Sequence, residues 1–107
     1  MFRTETDFLG EKPGPAAAYY GINTVRALEN FAVSRQTVPP ELIRAIATVK
    51  QAAAEMNMHL GLLDSRVGSA IFQAAGEIAE GRFADQFPLD ALQGGAGTST
   101  NMNVNEV

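Results

Sequence analysis

The strongest constraint on this sequence is a run of apolar residues whose spacing fits an α-helix. From position 42 they recur at intervals of 4, 3, 4, 3 and 4, as Leu42, Ile46, Val49, Ala53, Met56 and Leu60. This alternation keeps all six on one helical face. Pro40 suits a first helical turn, Glu41 complements the positive end of the helix dipole, and Gly61 can adopt the left-handed conformation that ends a helix. The pattern predicts one helix of about twenty residues, roughly 30 Å long.

A second helix is predicted directly after the first. Its apolar residues again follow helical spacing, as Val67, Ile71, Ala74 and Ile78. Asp64 or Ser65 can cap its start, and Gly81 can end it. Because only a short turn separates the two helices, we expect an antiparallel helical hairpin over residues 41–81.

The first forty residues carry a different signal. Glycine and proline interrupt residues 10–15, and a proline pair closes the segment at 39–40. We therefore expect residues 1–40 to be irregular, apart from one short helix over residues 24–31 with Asn23 or Thr24 as its cap.

The last part of the chain is predicted to be a loop over residues 82–97 followed by the start of a third helix over residues 98–107. Thr98 or Ser99 can cap that helix. No glycine, proline or basic last turn closes it before Val107, so we expect the chain to be a fragment. The predicted fold class is mainly α, within one N-terminal domain over residues 1–107.

Charge and composition exclude several classes of function. The chain has 8 Lys plus Arg against 12 Asp plus Glu, a net charge of −4, which makes a nucleic-acid or anionic-membrane partner unexpected. It has no cysteine, so disulfides and thiolate chemistry are excluded. No apolar stretch approaches the ~20 residues of a membrane span, and nothing near Met1 resembles a signal peptide. We expect a cytoplasmic protein.

One segment has a composition suited to binding an anion. Residues 94–97 read Gly-Gly-Ala-Gly, and a Thr-Ser-Thr-Asn run follows at a helix start. Glycines let backbone N–H groups approach a ligand, and a helix N-terminus adds positive partial charge. A carboxylate or phosphate would fit such a loop. A flexible connection with ordinary helix capping explains the same composition.

Other polar residues have structural interpretations. His59 lies in the last turn of the long helix, where it can interact with exposed carbonyls. Asp85 and Asp90 lie in a loop, where solvated or capping roles are expected. No metal site or cofactor site can be read from these residues.

Two long motifs resemble the aspartase/fumarase superfamily of lyases. They are YYGINTVRALENF at residues 19–31 and QGGAGTSTNMNVNEV at residues 93–107. The resemblance spans nearly the whole chain but only about the N-terminal quarter of a family member. Fumarases usually have Trp, Ser and Gln at the positions of Tyr20, Ala96 and Ser99, so the chain resembles the aspartase branch more.

The resemblance implies a fold, an activity and a substrate site. The fold would be the N-terminal domain of the aspartase/fumarase fold. The parent protein would be a homotetramer that reversibly converts L-aspartate to fumarate and ammonia, with no cofactor beyond a divalent metal activator that the family allows. Thr98 would contact the substrate, with Ser99 and Asn101 as weaker candidates. Asn103 and Asn105 are expected to bond local backbone.

Two alternatives to an aspartase remain open. The chain fits a fumarate hydratase fragment, or a non-catalytic helical module that binds a partner. The family's serine base, its carboxylate-binding lysine and its histidine motif have no counterpart in these residues. We therefore expect no catalytic residue in this chain and no lyase activity from the chain alone.

Overall fold

A computed structural model describes all 107 residues. Its elements are β1 (Phe2–Asp7), β2 (Gly10–Pro15), α1 (Ile22–Asn30), α2 (Pro40–His59), α3 (Ser65–Ala79) and α4 (Thr98–Glu106), with a 3-10 turn at Ala84–Gln86. The predicted mainly helical class is confirmed. The chain divides into two compact units, residues 1–38 with 85–107 and residues 39–84.

The N-terminal segment is not irregular as predicted, because residues 2–15 form a β-hairpin. Strands β1 and β2 pair antiparallel from Phe2↔Pro15 to Asp7↔Gly10. The inward-facing residues of β1 are polar, so its alternation carries no apolar signal. β2 contains two prolines, which count against a strand when the sequence is read alone, although an edge strand tolerates them.

Arginine side chains join the hairpin to the segment that follows it. Arg3 donates from Nη1 to the Ala18 carbonyl at 2.5 Å and from Nη2 to the Tyr20 carbonyl at 2.7 Å. Arg26 of α1 donates from Nε and Nη2 to the two carboxylate oxygens of Asp7, both at 2.8 Å. These charge-assisted bonds replace the apolar contacts that such a small sheet lacks.

Helices α1 and α4 pack against each other in the first unit. The N-cap of α1 is Gly21, so the predicted caps Asn23 and Thr24 are wrong. Glu106 of α4 takes over that function: its carboxylate accepts from the Asn23 and Thr24 amides, each at 2.9 Å, and from the Thr24 hydroxyl at 2.5 Å. A distant residue therefore caps α1, which local sequence rules do not detect.

The second unit is the predicted helical hairpin, α2 and α3. The side chain of Asp64 accepts from the Arg66 and Val67 amides at 3.0 and 3.2 Å, which confirms one of the two predicted caps. Gly61 has the predicted left-handed conformation, at φ 72°. No helix in the structure is long and apolar enough to cross a membrane.

The face that joins the two helices differs from the predicted apolar stripe. Val49 and Val67, which belong to the predicted stripes, are 67% and 50% exposed. The residues buried on the two helices are Ile43, Ala47, Ala54, Gly68, Ala75 and Ile78, of which only Ile78 lies on a predicted stripe. Small residues allow the close approach, because a Cβ added to Gly68 would overlap the Met58 side chain.

Candidate functional site

The segment 94–97 forms a tight left-handed turn ahead of α4. Gly95, Ala96 and Gly97 all have positive φ, at 81°, 54° and 83°. Glycine adopts this conformation freely, whereas it costs Ala96 on the order of 1 kcal/mol. The N-cap of α4 is Gly97 and no side chain caps it locally, so the predicted capping by Thr98 or Ser99 is wrong.

The three predicted site residues lie within the first turn and a half of α4. Thr98 and Asn101 are exposed, and Ser99 is half-buried. Thr98 and Asn101 are three positions apart, which places them on the same side of the helix. The structure therefore groups these candidates at the helix start, with Thr98 and Asn101 on one exposed side and Ser99 off that side.

Thr98 is oriented by the turn that precedes it. Both its backbone N and its Oγ1 donate to the carbonyl of Gly95, at 3.1 and 2.8 Å. Because the hydroxyl hydrogen is used in this bond, the oxygen is left as an acceptor. Thr98 Oγ1 can accordingly accept a hydrogen bond from a ligand donor such as an ammonium or a hydroxyl group.

Gln93 links the start of the loop to α4. Its Oε1 accepts from the Thr100 amide at 3.0 Å and from the Thr100 hydroxyl at 2.8 Å, and its Nε2 donates to the Asp90 carbonyl at 2.8 Å. Thr100 is 5% exposed. Sequence reasoning missed Gln93, whose only signal was its place at the start of the second motif.

The site carries no formal charge of its own. Residues 91–105 contain no charged side chain. The Thr98, Thr100 and Asn101 amides already donate to acceptors of this chain, so the attraction for an anion comes from the Ser99 N–H and the dipole of α4. A carboxylate placed at the start of α4 would meet no competing acid within the loop.

The nearby carboxylate of Asp90 is used by a different loop. It accepts from the backbone N of Val33, Ser34 and Arg35 at 3.0, 2.6 and 3.1 Å, and from the Ser34 hydroxyl at 2.7 Å. The Ser34 hydroxyl bond is the main cause that holds the pKa of Asp90 well below its ordinary value, against the opposing effect of burial. Asp90 is thus a capping carboxylate, as expected from its loop position.

The inner face of α4 is held along its length. Asn103 is 1% exposed, and its Nδ2 donates to the Gln86 carbonyl at 2.9 Å. This partner is 17 residues away, so the prediction of a local backbone bond for Asn103 is wrong. Together with Thr100 and Glu106, Asn103 fixes one side of α4 and leaves Thr98 and Asn101 on the other.

His59 lies in the last turn of α2, where it is exposed. No group of three or more His, Cys, Asp or Glu side chains is placed to hold a metal ion.

Comparison with known proteins places these motifs in a family. Residues 10–107 match a family model described as a lyase. The chain belongs to the aspartase/fumarase superfamily of lyases. An aspartate ammonia-lyase from Bacillus sp is 55% identical over 105 residues, which cover 98% of this chain and 22% of that protein. A fumarate hydratase class II 1 from Pseudomonas aeruginosa is 52% identical over 107 residues, covering 100% of this chain and 23% of that protein.

Solved structures of the superfamily share the fold. A fumarate lyase:delta crystallin from Brucella melitensis in native form superposes with a TM-score of 0.96 at 49% identity, covering 100% of this chain and 25% of that one. A class II fumarase from Schistosoma mansoni has a TM-score of 0.95 at 40% identity, covering 99% of this chain and 22% of that one. The chain spans less than a quarter of the length of the curated relatives it matches.

Proposed function

We propose that this chain is the N-terminal part of an ammonia-lyase that reversibly converts L-aspartate to fumarate and ammonia. The observation that carries the proposal is the loop at residues 94–97 with Thr98 at the start of α4, in a chain 55% identical to an aspartate ammonia-lyase. In this reaction a base removes a proton from the carbon next to the β-carboxylate. The electron pair then forms the carbon–carbon double bond and expels the amine.

The loop supplies what such a reaction needs from its binding site. Negative charge accumulates on the β-carboxylate as the proton leaves, so donors fixed in advance stabilise the transition state more than the ground state. In the proposed complex the α4 N-terminus faces that carboxylate, and Thr98 Oγ1 accepts from the substrate amino group. Ser99 and Asn101 line the same turn, with smaller contributions.

Aspartate is proposed ahead of malate because of three positions. Tyr20, Ala96 and Ser99 stand where fumarases usually have Trp, Ser and Gln. Ala96 offers only a methyl group in the loop and Ser99 brings a hydroxyl to the first turn of α4, so the hydroxyl lies at a different position than in a fumarase loop. Fumarate hydratase is the second candidate, since a fumarate hydratase is 52% identical to this chain.

We also propose that the parent protein is a cytoplasmic homotetramer, as the family resemblance implies. The 107-residue chain brings a binding loop and no general base for proton abstraction. We expect it to show no turnover by itself.

The proposal is tested on the full-length natural protein by following fumarate absorbance with L-aspartate and, separately, with L-malate. Wild type should respond to aspartate alone. Thr98→Ala should lower kcat/KM for aspartate by on the order of 10²-fold, the usual cost of removing one well-placed hydrogen-bonding group. Thr98→Ser should retain most of the activity because it keeps the hydroxyl.

A matched control uses Thr48, an exposed threonine of α2 whose hydroxyl donates to the Arg44 carbonyl at 2.9 Å. Thr48→Ala should leave kcat/KM unchanged. Turnover of malate alone would replace the proposal by fumarate hydratase. Turnover of neither substrate, or full activity of Thr98→Ala, would refute a lyase site at this loop.

A further inference from the structure

We infer that Gln93 is a positioning residue, which holds the 94–99 loop in its binding conformation without touching the substrate. The inference concerns the geometry of the loop and, for its effect on turnover, rests on the function proposed above. The structure assigns this role through one side chain that bridges the two ends of the loop.

The bridge uses both ends of the Gln93 amide. Oε1 accepts two hydrogen bonds from Thr100, at 3.0 and 2.8 Å, and Nε2 donates to the Asp90 carbonyl at 2.8 Å. The amide is therefore fixed in orientation by three bonds to groups of this chain. Asp90 is itself buried and bonded to residues 33–35, so the bridge is attached to a rigid part of the first unit.

The loop needs such a bridge because its own residues cannot define its shape. Residues 94–97 carry no side chain larger than a methyl group. Three consecutive positive φ angles, one of them at Ala96, describe a backbone that an unrestrained chain populates weakly. The bonds between Gln93 and Thr100 close the six intervening residues into a ring, which restricts the other conformations that this segment can adopt.

The Gln93–Thr100 bonds also set the first turn of α4. Thr100 N is one of the N-terminal amides that have no partner within the helix. Accepting from this amide, Gln93 provides the side-chain cap that Gly97 does not supply. Thr98 precedes Thr100 by two positions, so loss of the cap loosens the turn that orients the Thr98 hydroxyl.

The test uses the full-length natural protein and two readouts. Gln93→Met keeps the size of the side chain but removes all three hydrogen bonds. It should raise the hydrogen-exchange rate of residues 94–101 by at least tenfold while residues 65–79 of α3 exchange as in wild type. It should also lower kcat/KM for L-aspartate by about tenfold or more, measured under conditions in which the variant is fully folded.

Thr100 variants provide the matched series. Thr100→Val keeps the backbone amide and removes the hydroxyl. Thr100→Ser keeps both, so its exchange and activity should stay near those of wild type. The Gln93→Met and Thr100→Val effects on kcat/KM should be non-additive, since both act on the same bridge. Gln51→Met is the control: its Nε2 donates to the Phe72 carbonyl at 3.3 Å in the second unit, and its loss should alter neither readout.

The outcomes separate this inference from the proposed function. Unchanged exchange at residues 94–101 in Gln93→Met overturns the bridge, whatever the activity. Faster exchange with unchanged kcat/KM overturns the positioning role and leaves only a structural one. A wild type without activity on aspartate or malate refutes the proposed function, and the exchange result then decides the bridge alone.

Discussion

Removing the Glu106 carboxylate should weaken the first unit measurably, because this side chain is the N-terminal cap of α1. Its carboxylate accepts from the backbone N and side-chain Nδ2 of Asn23, which is exposed, and from the backbone N and hydroxyl of Thr24, which is 0% exposed. Water can replace the carboxylate at Asn23 but not at Thr24. Glu106→Ala therefore leaves two buried donors of one residue without an acceptor.

The expected magnitude follows from those groups. A buried donor left unsatisfied costs about 1–3 kcal/mol, and a lost N-cap costs about 0.5–2 kcal/mol. Because the two costs overlap in the Thr24 amide, we expect Glu106→Ala to lower the free energy of opening α1 by about 2–3 kcal/mol. Glu106→Gln keeps one acceptor oxygen for Thr24 but loses the second acceptor at Asn23, where water can replace it, and the charge that favours a helix N-terminus, so about 1 kcal/mol is expected.

Native-state hydrogen exchange of the isotope-labelled chain measures this directly. A loss of 2–3 kcal/mol corresponds to a roughly 30- to 140-fold increase in exchange at Thr24, at tenfold per 1.4 kcal/mol. Amides of α3 serve as the internal reference. Glu55→Ala, at an exposed position of α2, is the control and should change stability by less than about 0.5 kcal/mol. Equal exchange at Thr24 in Glu106→Ala and wild type would refute the capping assignment.

Two further predictions concern stability. Hydrogen bonds from Ser34 and neighbouring amides depress the pKa of Asp90, so the stability that its carboxylate contributes is complete above the ordinary pKa of 3.8 and is lost as the pH falls below it. Asp90→Asn should therefore be less stable at pH 7, and its urea midpoint should fall less steeply than that of wild type from pH 7 to 2. An unchanged slope would contradict this. Gly68→Ala should lower the thermal midpoint, since about 1–3 kcal/mol of overpacking against Met58 exceeds the gain of about 1 kcal/mol in helix propensity. Met58→Ala should lower stability less in the Gly68→Ala protein than in wild type, and a raised midpoint for Gly68→Ala alone would refute the close contact.

Helices α2 and α3 could be predicted from the sequence because the signals that define them are local. Apolar spacing, Asp64 as a cap and Gly61 as a terminator all act within a few residues, and the structure has each of them. The same periodicity did not identify the packed face of α2. That face consists of small residues such as Ala47 and Ala54, whose burial depends on how closely the partner helix approaches.

The features that the sequence did not predict depend on distant partners. The β-hairpin is held by Arg3 and Arg26 rather than by an apolar alternation. The cap of α1 comes from Glu106, 82 or more positions along the chain. Residue spacing carries no information about such pairs. The candidate site was located by composition and family resemblance, and its support through Gln93 emerged only from the three-dimensional contacts.

The most direct test of the account is a crystal structure of the full-length natural protein with L-aspartate or fumarate bound. We predict a ligand amino group within about 3 Å of Thr98 Oγ1 in the aspartate complex, the usual hydrogen-bond distance, and a ligand carboxylate at the start of α4 in either complex. We also predict that Gln93 stays bonded to Thr100 in those complexes. A bound substrate that leaves Thr98 and the 94–97 loop without a contact would refute the binding site proposed here at the start of α4.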